Sequence, residues 1–276
     1  MIQHMRLKGF GNYNRTNGAT SVPTIGGPAE GEIGVWYGLT DQVDETDLEL
    51  FGVILSEEER ARRDRLMLAN DRRDFSLAHA LVRAVLSRYG PTPPEHWQFE
   101  THVQGKPAIV ASQAGTPALQ FNLSHTRGFV ACAVARGAPV GIDVELCTRE
   151  VDALELAPRF FAPEEFEELY AAAPEVRQSR FIELWTVKES YVKAIGTGLS
   201  LALNSFAVSF VGSSALRLCA PQSRAIVHVW LVAVSADVRL AVAVVPPTDA
   251  QEWRLNFHCI NDPKGCTPVI LRRSSE

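Results

Sequence analysis

Residues 74–134 run helix, strand, then hairpin, and residues 180–245 run helix, strand, then hairpin again. Phe75, Ala78, Leu81, Val82, Val85 and Leu86 recur at helical spacing and predict a helix from about Asp74 to Tyr89, closed by Gly90-Pro91. β segments follow at Trp97–Val103, Leu119–Leu123 and Phe129–Val134, the last two joined across Ser-His-Thr-Arg-Gly. A second helix over about Arg180–Ile195 precedes β segments at Phe206–Phe210, Ala225–Val234 and Arg239–Val245. A pattern that repeats in element order predicts an α+β fold built as a pseudo-dimer. Each of its two similar lobes is a small, mainly antiparallel sheet packed on a long helix.

The organisation follows from that repeat. Residues 1–31 are rich in Gly, Asn and Thr and are expected to be a flexible extension. The N-terminal lobe is expected over 32–139 and the C-terminal lobe over 140–250, with a tail of mixed composition at 251–276. A strand at Val140–Glu145 would sit near the junction, where ligand sites often lie. Ser56 with Glu59 three residues on is a capping box that opens an arginine-rich helix, and another helix is expected at about Pro163–Ala171.

Charge and cysteine usage exclude several function classes. Net charge is −5, which argues against a nucleic-acid-binding role. Five scattered cysteines with no CxxC spacing point away from a disulfide framework or a zinc site and towards a reducing cytoplasm. No apolar run is long enough to span a membrane, so no membrane partner is expected. Within this acidic chain Arg60, Arg62, Arg63, Arg65, Arg72, Arg73, Arg83 and Arg88 crowd one segment. They are either a solvated helix face or a local basic surface for phosphates or an acidic partner.

Three short motifs carry possible chemistry. In Val140-Gly141-Ile142-Asp143-Val144-Glu145, strict alternation puts Asp143 and Glu145 on one face of a strand, roughly 7 Å apart. Two carboxylates so placed need either water or a hard cation such as Mg²⁺. In the helix that follows, Glu189 and Lys193 stand four residues apart. They are either a surface ion pair or, with Lys188, a third carboxylate and two amines beside a polyanion. Gly196-Thr197-Gly198 reads as a helix end. The third motif is Phe121-Asn122-Leu123-Ser124-His125, with Gly105-Lys106-Pro107 upstream. His125 is either a structural hydrogen-bonding residue or a phosphate contact.

Taken together, "GKP", "FNLSH", "GIDVE" and "WTVKESYVKAIGTGLSL", in that order over roughly residues 33–245, resemble the 4′-phosphopantetheinyl transferases of the larger, surfactin-synthetase-activating type. Arg159-Phe160-Phe161 and His79-Ala80-Leu81-Val82-Arg83 are also similar to that family. The resemblance implies a monomer, the smaller one-lobe members being trimers. It also implies transfer of the phosphopantetheine arm of coenzyme A to a serine of an acyl or peptidyl carrier protein, with release of 3′,5′-ADP.

By the same resemblance Mg²⁺ would be held by Asp143, Glu145 and Glu189, and coenzyme A by Arg62, Lys106, Ser124, His125, Lys188 and Lys193. Asp143, Glu189 and Lys193 would carry catalysis, with Glu189 or a metal-bound water as base. Glu59 stands where some members carry a lysine, and Phe75 where some carry a small hydroxyl residue. The rival readings are a non-catalytic binding module on the same fold and a metal-dependent phosphoesterase.

Overall fold

A computed structural model describes residues 4–7, 11–16, 19–21, 27–101, 105–222, 225–248, 251–261 and 267–274. The chain divides into two compact units. The first comprises Met1–Thr101, Pro107–Gly137 and Glu252–Gly265; the second comprises His102–Lys106, Ala138–Gln251 and Cys266–Glu276.

In the first unit a helix over Ala69–Tyr89 buries Leu77, Leu81, Val85 and Leu86 in one apolar core with Val130, Cys132 and Val134 of a sheet. That sheet has the strand order Arg254–Cys259, Glu32–Leu39, Phe129–Arg136, Leu119–Thr126. Its pairs are antiparallel except the one between Arg254–Cys259 and Glu32–Leu39. The second unit repeats the scheme with a helix over Pro174–Ile195. Its six-stranded sheet runs Ala207–Val211, Ala215–Cys219, Val269–Ser274, His228–Ala233, Val238–Val244, Val140–Leu146. Each unit therefore holds the same antiparallel triplet, a strand from early in the unit beside the second strand of a hairpin, with a long helix packed on it. The strand at Val140–Leu146 is thus an edge strand of the second sheet and the counterpart of Glu32–Leu39 in the first.

Several boundaries moved, for local reasons. The first hairpin is tighter than the Ser-His-Thr-Arg-Gly segment suggested. Its strands pair through Thr126 and Phe129, leaving Arg127-Gly128 as the turn, with Gly128 in the left-handed region at φ 80°. The long second helix begins six residues before Arg180, at Pro174, where a missing N–H costs nothing. The strand expected at Trp97–Val103 is confined to Phe99–Thr101 among the described residues, and residues 102–103 lie outside them.

The tail expected over 251–276 is not a separate segment. Arg254–Cys259 joins the first sheet and Val269–Ser274 the second. Arg-Leu-Asn-Phe-His-Cys alternates polar and apolar residues, a strand signal that sequence reading passed over, whereas Val-Ile-Leu-Arg-Arg-Ser shows no such alternation. Part of the expected extension over 1–31 lies outside the described residues. The described part pairs as a three-stranded antiparallel meander of His4–Leu7, Gly11–Thr16 and Ala19–Ser21. Sequence reading also missed a helix at Glu45–Ile54, whose Asp44 and Asp47 form a reciprocal cap.

The capping box at Ser56 is present, and it does more than cap. Glu59 N–H donates to Ser56 Oγ at 3.2 Å and Ser56 N–H returns a bond to Glu59 Oε2 at 2.8 Å. The same carboxylate lies 3.0 Å from His79 Nδ1 and accepts from Arg83 Nε at 2.7 Å, so it ties the short helix Glu57–Asp64 to the long one. Arg83, only 2% exposed, also donates to the carbonyls of Pro94 and Trp97.

Burial pushes the Glu59 carboxyl up. The bonds from His79, Arg83 and Ser56 and the charge of Arg83 outweigh that and bring it from 4.5 down to about 2. Its contribution to stability is therefore present above about pH 4.5 and disappears as the pH falls towards 2. Glu59→Gln should lower the free energy of unfolding by about 2 kcal/mol at neutral pH, read from urea unfolding. The gap between variant and wild type should narrow between pH 4.5 and 2; a gap that stays constant would show that the charge plays no part.

Candidate active site

The second unit brings Asp143, Glu145, Glu189, Lys193 and Lys106 together, and Gly141 sets how closely. Gly141, Asp143 and Glu145 share one face of the Val140–Leu146 strand. A Cβ on Gly141 would lie 2.1 Å from Ser190 O and 2.4 Å from Ala194 N, so the helix backbone rests directly on the strand there. Two residues on, that contact leaves room for the Asp143 carboxylate. Lys193 Nζ donates to Asp143 Oδ1 at 2.7 Å and to the Ile142 carbonyl at 3.2 Å. Lys106 Nζ donates to the carbonyls of Val140 at 2.9 Å and Lys193 at 2.8 Å, which seats it on the last turn of the same helix.

The electrostatics register how near the three acids are to one another. Burial pushes the Glu189 carboxyl up, and the charges of Asp143 and Glu145 push it further against Lys193. Burial and Asp143 raise Glu145 in the same way, opposed by Arg149, which donates to Glu145 Oε1 at 2.9 Å. Burial lowers the Lys106 ammonium, with help from the Lys193 charge, to about 8. Among the described residues no three His, Cys, Asp or Glu side chains stand close enough to enclose a metal ion as they lie. Asp143 and Glu145 each already face a cationic side chain, Lys193 and Arg149. A donor set of carboxylate oxygens alone, holding more negative charge than burial favours, fits a small hard cation and does not suit a soft metal.

Other expected site residues lie in the first unit. Ser124 and His125 occupy adjacent positions on the Leu119–Thr126 strand, so they face opposite ways, Ser124 buried and His125 exposed. Arg62 is exposed near the end of the Glu57–Asp64 helix, its guanidinium 5.8 Å from the Phe75 ring centre. Of the other arginines in that cluster, several are committed to backbone. Arg60 donates to Gly52 and Leu55 carbonyls, Arg65 to Ala61, and Arg72 to Leu66 and Met67.

Lys188 is committed to an internal pair rather than to these acids. It is 0% exposed, and its ammonium donates to both Glu165 oxygens at 2.6 Å and to Phe206 O at 2.7 Å. Expected as a coenzyme A contact, it is turned inward instead, as helix geometry directs. Five residues carry a helix through 500°, so Lys188 and Lys193 leave it in directions about 140° apart. Glu165 also accepts from Val208 N and Ala162 N, both at 2.7 Å, and the pair thereby joins a helix start, the long helix and a strand. Burial pushes Glu165 up and Lys188 down, and their mutual charge and hydrogen bonds oppose both shifts. The sequence signal that could have found Glu165 was its place three residues after Ala162, at the start of the Pro163–Ala171 helix.

Lys188→Met would leave a buried carboxylate without its cation. A loss of about 3–5 kcal/mol is expected in urea unfolding. Adding Glu165→Gln should recover part of it, because a neutral amide oxygen still accepts from the backbone. A single variant as stable as wild type would refute the structural role.

Comparison with known proteins bears on the same residues. Residues 139–244 match the family model described as "4'-phosphopantetheinyl transferase superfamily". Residues 42–136 match the one described as "4'-phosphopantetheinyl transferase, N-terminal". The chain is 35% identical over 169 residues to the 4′-phosphopantetheinyl transferase HetI of Nostoc sp., covering 61% of this chain and 70% of that one. It is 32% identical to the transferase psf-1 of Bacillus pumilus, covering 77% of this chain and 88% of that one. To Sfp of Bacillus subtilis it is 33% identical, over 72% of this chain and 86% of the relative. With two lobes of matching topology and both halves matched in order, this chain belongs to the 4′-phosphopantetheinyl transferases, of the Sfp-like type.

Proposed function

We propose that this enzyme transfers the 4′-phosphopantetheine arm of coenzyme A to a serine of an acyl or peptidyl carrier protein, and that the transfer depends on Mg²⁺ and releases 3′,5′-ADP. The observation that carries this reading is the meeting of Asp143, Glu145 and Glu189 with Lys193 and Lys106 at one end of the long helix. Asp143, Glu145 and Glu189 are the residues that would hold the metal. A Mg²⁺ ion held there would neutralise charge on the pyrophosphate during transfer.

The chain's own residues supply the rest. In the reaction the carrier serine Oγ forms a bond to the β-phosphorus, and the bond from that phosphorus to the bridging oxygen breaks. The electron pair leaves with 3′,5′-ADP. Glu189, or a water on the metal, would accept the serine proton. Lys193 is held at the acids by Asp143 and the Ile142 carbonyl, so its charge is oriented before a phosphate arrives. Lys106 spends two of its three donors on backbone carbonyls and offers the third to a phosphate oxygen.

Arg62, Ser124 and His125 are proposed as further coenzyme A contacts. We further place the protein as a monomer in the cytoplasm, in keeping with the thiols of Cys132, Cys147 and Cys219, which form no disulfide among the described residues.

Two measurements test this reading. Asp143→Asn and Glu189→Gln, in protein that still melts like wild type, should each lower kcat by roughly a hundredfold or more and weaken Mn²⁺ binding read by calorimetry. Near-normal turnover in either variant would remove that residue from the site. For Lys106, the charged form prevails below about pH 8 and is lost above it. The value of kcat/KM for coenzyme A should therefore fall as the pH rises from 7 to 9.5. Lys106→Arg, whose guanidinium stays charged throughout, should flatten that fall. The same decline in both proteins would assign it to another group.

A further inference from the structure

The link between the helices Glu57–Asp64 and Ala69–Tyr89 presents two large apolar side chains to solvent. Met67 is 89% exposed and Leu68 is 64% exposed. A lone exposed apolar residue is unremarkable, but two adjacent ones at a helix junction come with visible local costs. Leu68 occupies the N-cap of the Ala69–Tyr89 helix and makes no side-chain cap bond, where Ser, Asp or Asn would stabilise by about 1 kcal/mol. Arg72 Nη1 donates to the carbonyls of Leu66 at 2.8 Å and Met67 at 3.1 Å, and Arg72 N–H donates to Leu68 O at 3.1 Å. The link is thus pinned from behind, and the two side chains are displayed on a held backbone. A position that breaks local rules while its surroundings are ordered is where function is expected to override stability.

Charge indicates what covers the pair. From Arg60 to Arg73 the chain carries six arginines against two aspartates, Asp64 and Asp71, within a protein of net charge −5. Arg65, exposed, caps the end of the helix that leads into the link, and Arg73 follows in the next helix. An apolar centre with a basic rim fits a partner that offers an apolar groove bordered by acidic side chains.

We propose that Met67 and Leu68 are the anchor by which this enzyme docks its carrier-protein substrate, the flanking arginines engaging acidic residues of the carrier. The proposal rests on the transferase reading and gives the macromolecular substrate a surface in the first unit.

The test uses Met67→Ser/Leu68→Ser in the full chain, with coenzyme A and an acidic apo carrier protein. The new serine at position 68 supplies the missing cap, so the melting temperature should hold or rise. Meanwhile KM for the carrier should rise about tenfold, and KM for coenzyme A should change less than twofold. Raising salt should weaken carrier binding in the wild type, since exposed charges are screened.

An unchanged carrier KM in a folded variant would overturn the docking surface while leaving the transferase reading intact. So would equal rises in both KM values, which would reflect a general distortion. Concentration-dependent self-association abolished by the variant, with carrier KM unchanged, would reassign the pair to a contact between copies and overturn the proposal. Absence of transfer by the wild-type protein would overturn the transferase reading and this docking surface with it.

Discussion

The contact between Gly141 and the Pro174–Ile195 helix governs the arrangement of every charged group in the second unit's site. Any side chain at that position would collide with Ser190 O and Ala194 N, both backbone atoms that cannot swing aside. With hydrogen alone there, the strand lies against the helix closely enough for Lys193 to span to Asp143 Oδ1 and Ile142 O. Lys106 reaches across both elements to Val140 O and Lys193 O for the same reason. A shift of an ångström or two between strand and helix would break these bonds and part the acids, and transfer chemistry tolerates little misplacement of that kind.

The two units share more than strand order. In each, a glutamate at the third position of a short helix accepts the N–H of the residue before that helix, Ser56 for Glu59 and Ala162 for Glu165. In each, the same carboxylate then receives a cation from the long helix, Arg83 in the first unit and Lys188 in the second. Losing water makes such pairs poor sources of net stability, but breaking one is costly, so they act chiefly to fix how the short helix sits on the long one. That correspondence accounts for Glu59 on different grounds from a ligand contact. The residue where some family members carry a lysine is here the hub of an internal network that holds His79 and Arg83.

The second unit therefore separates its lysines by task. Lys188, wholly buried, holds the scaffold next to Glu189. Lys193, partly exposed, meets the acids. Arginines in the first unit divide similarly. Arg60, Arg65, Arg72 and Arg83 satisfy backbone carbonyls, which leaves a smaller basic surface than the sequence count implies.

The sequence by itself determined the repeated lobe plan, the helix starts at Ser56 and Pro163, the helix end at Gly196, and the pairing of Asp143 with Glu145 on one strand face. These depend on local rules, periodicity and capping, that act within a few residues. The short helix after Asp44 and the strands Arg254–Cys259 and Val269–Ser274 were not read from the sequence. Arg254–Cys259 does alternate polar and apolar residues, but its place in a sheet depends on a partner more than two hundred residues away, as that of Val269–Ser274 does on one about forty away. Tertiary structure alone decided that Lys188 turns inward to Glu165 while Lys193 turns to Asp143. Which way a charged side chain faces is set by what the rest of the fold buries beside it, and that information is not held in the residue or its neighbours along the chain.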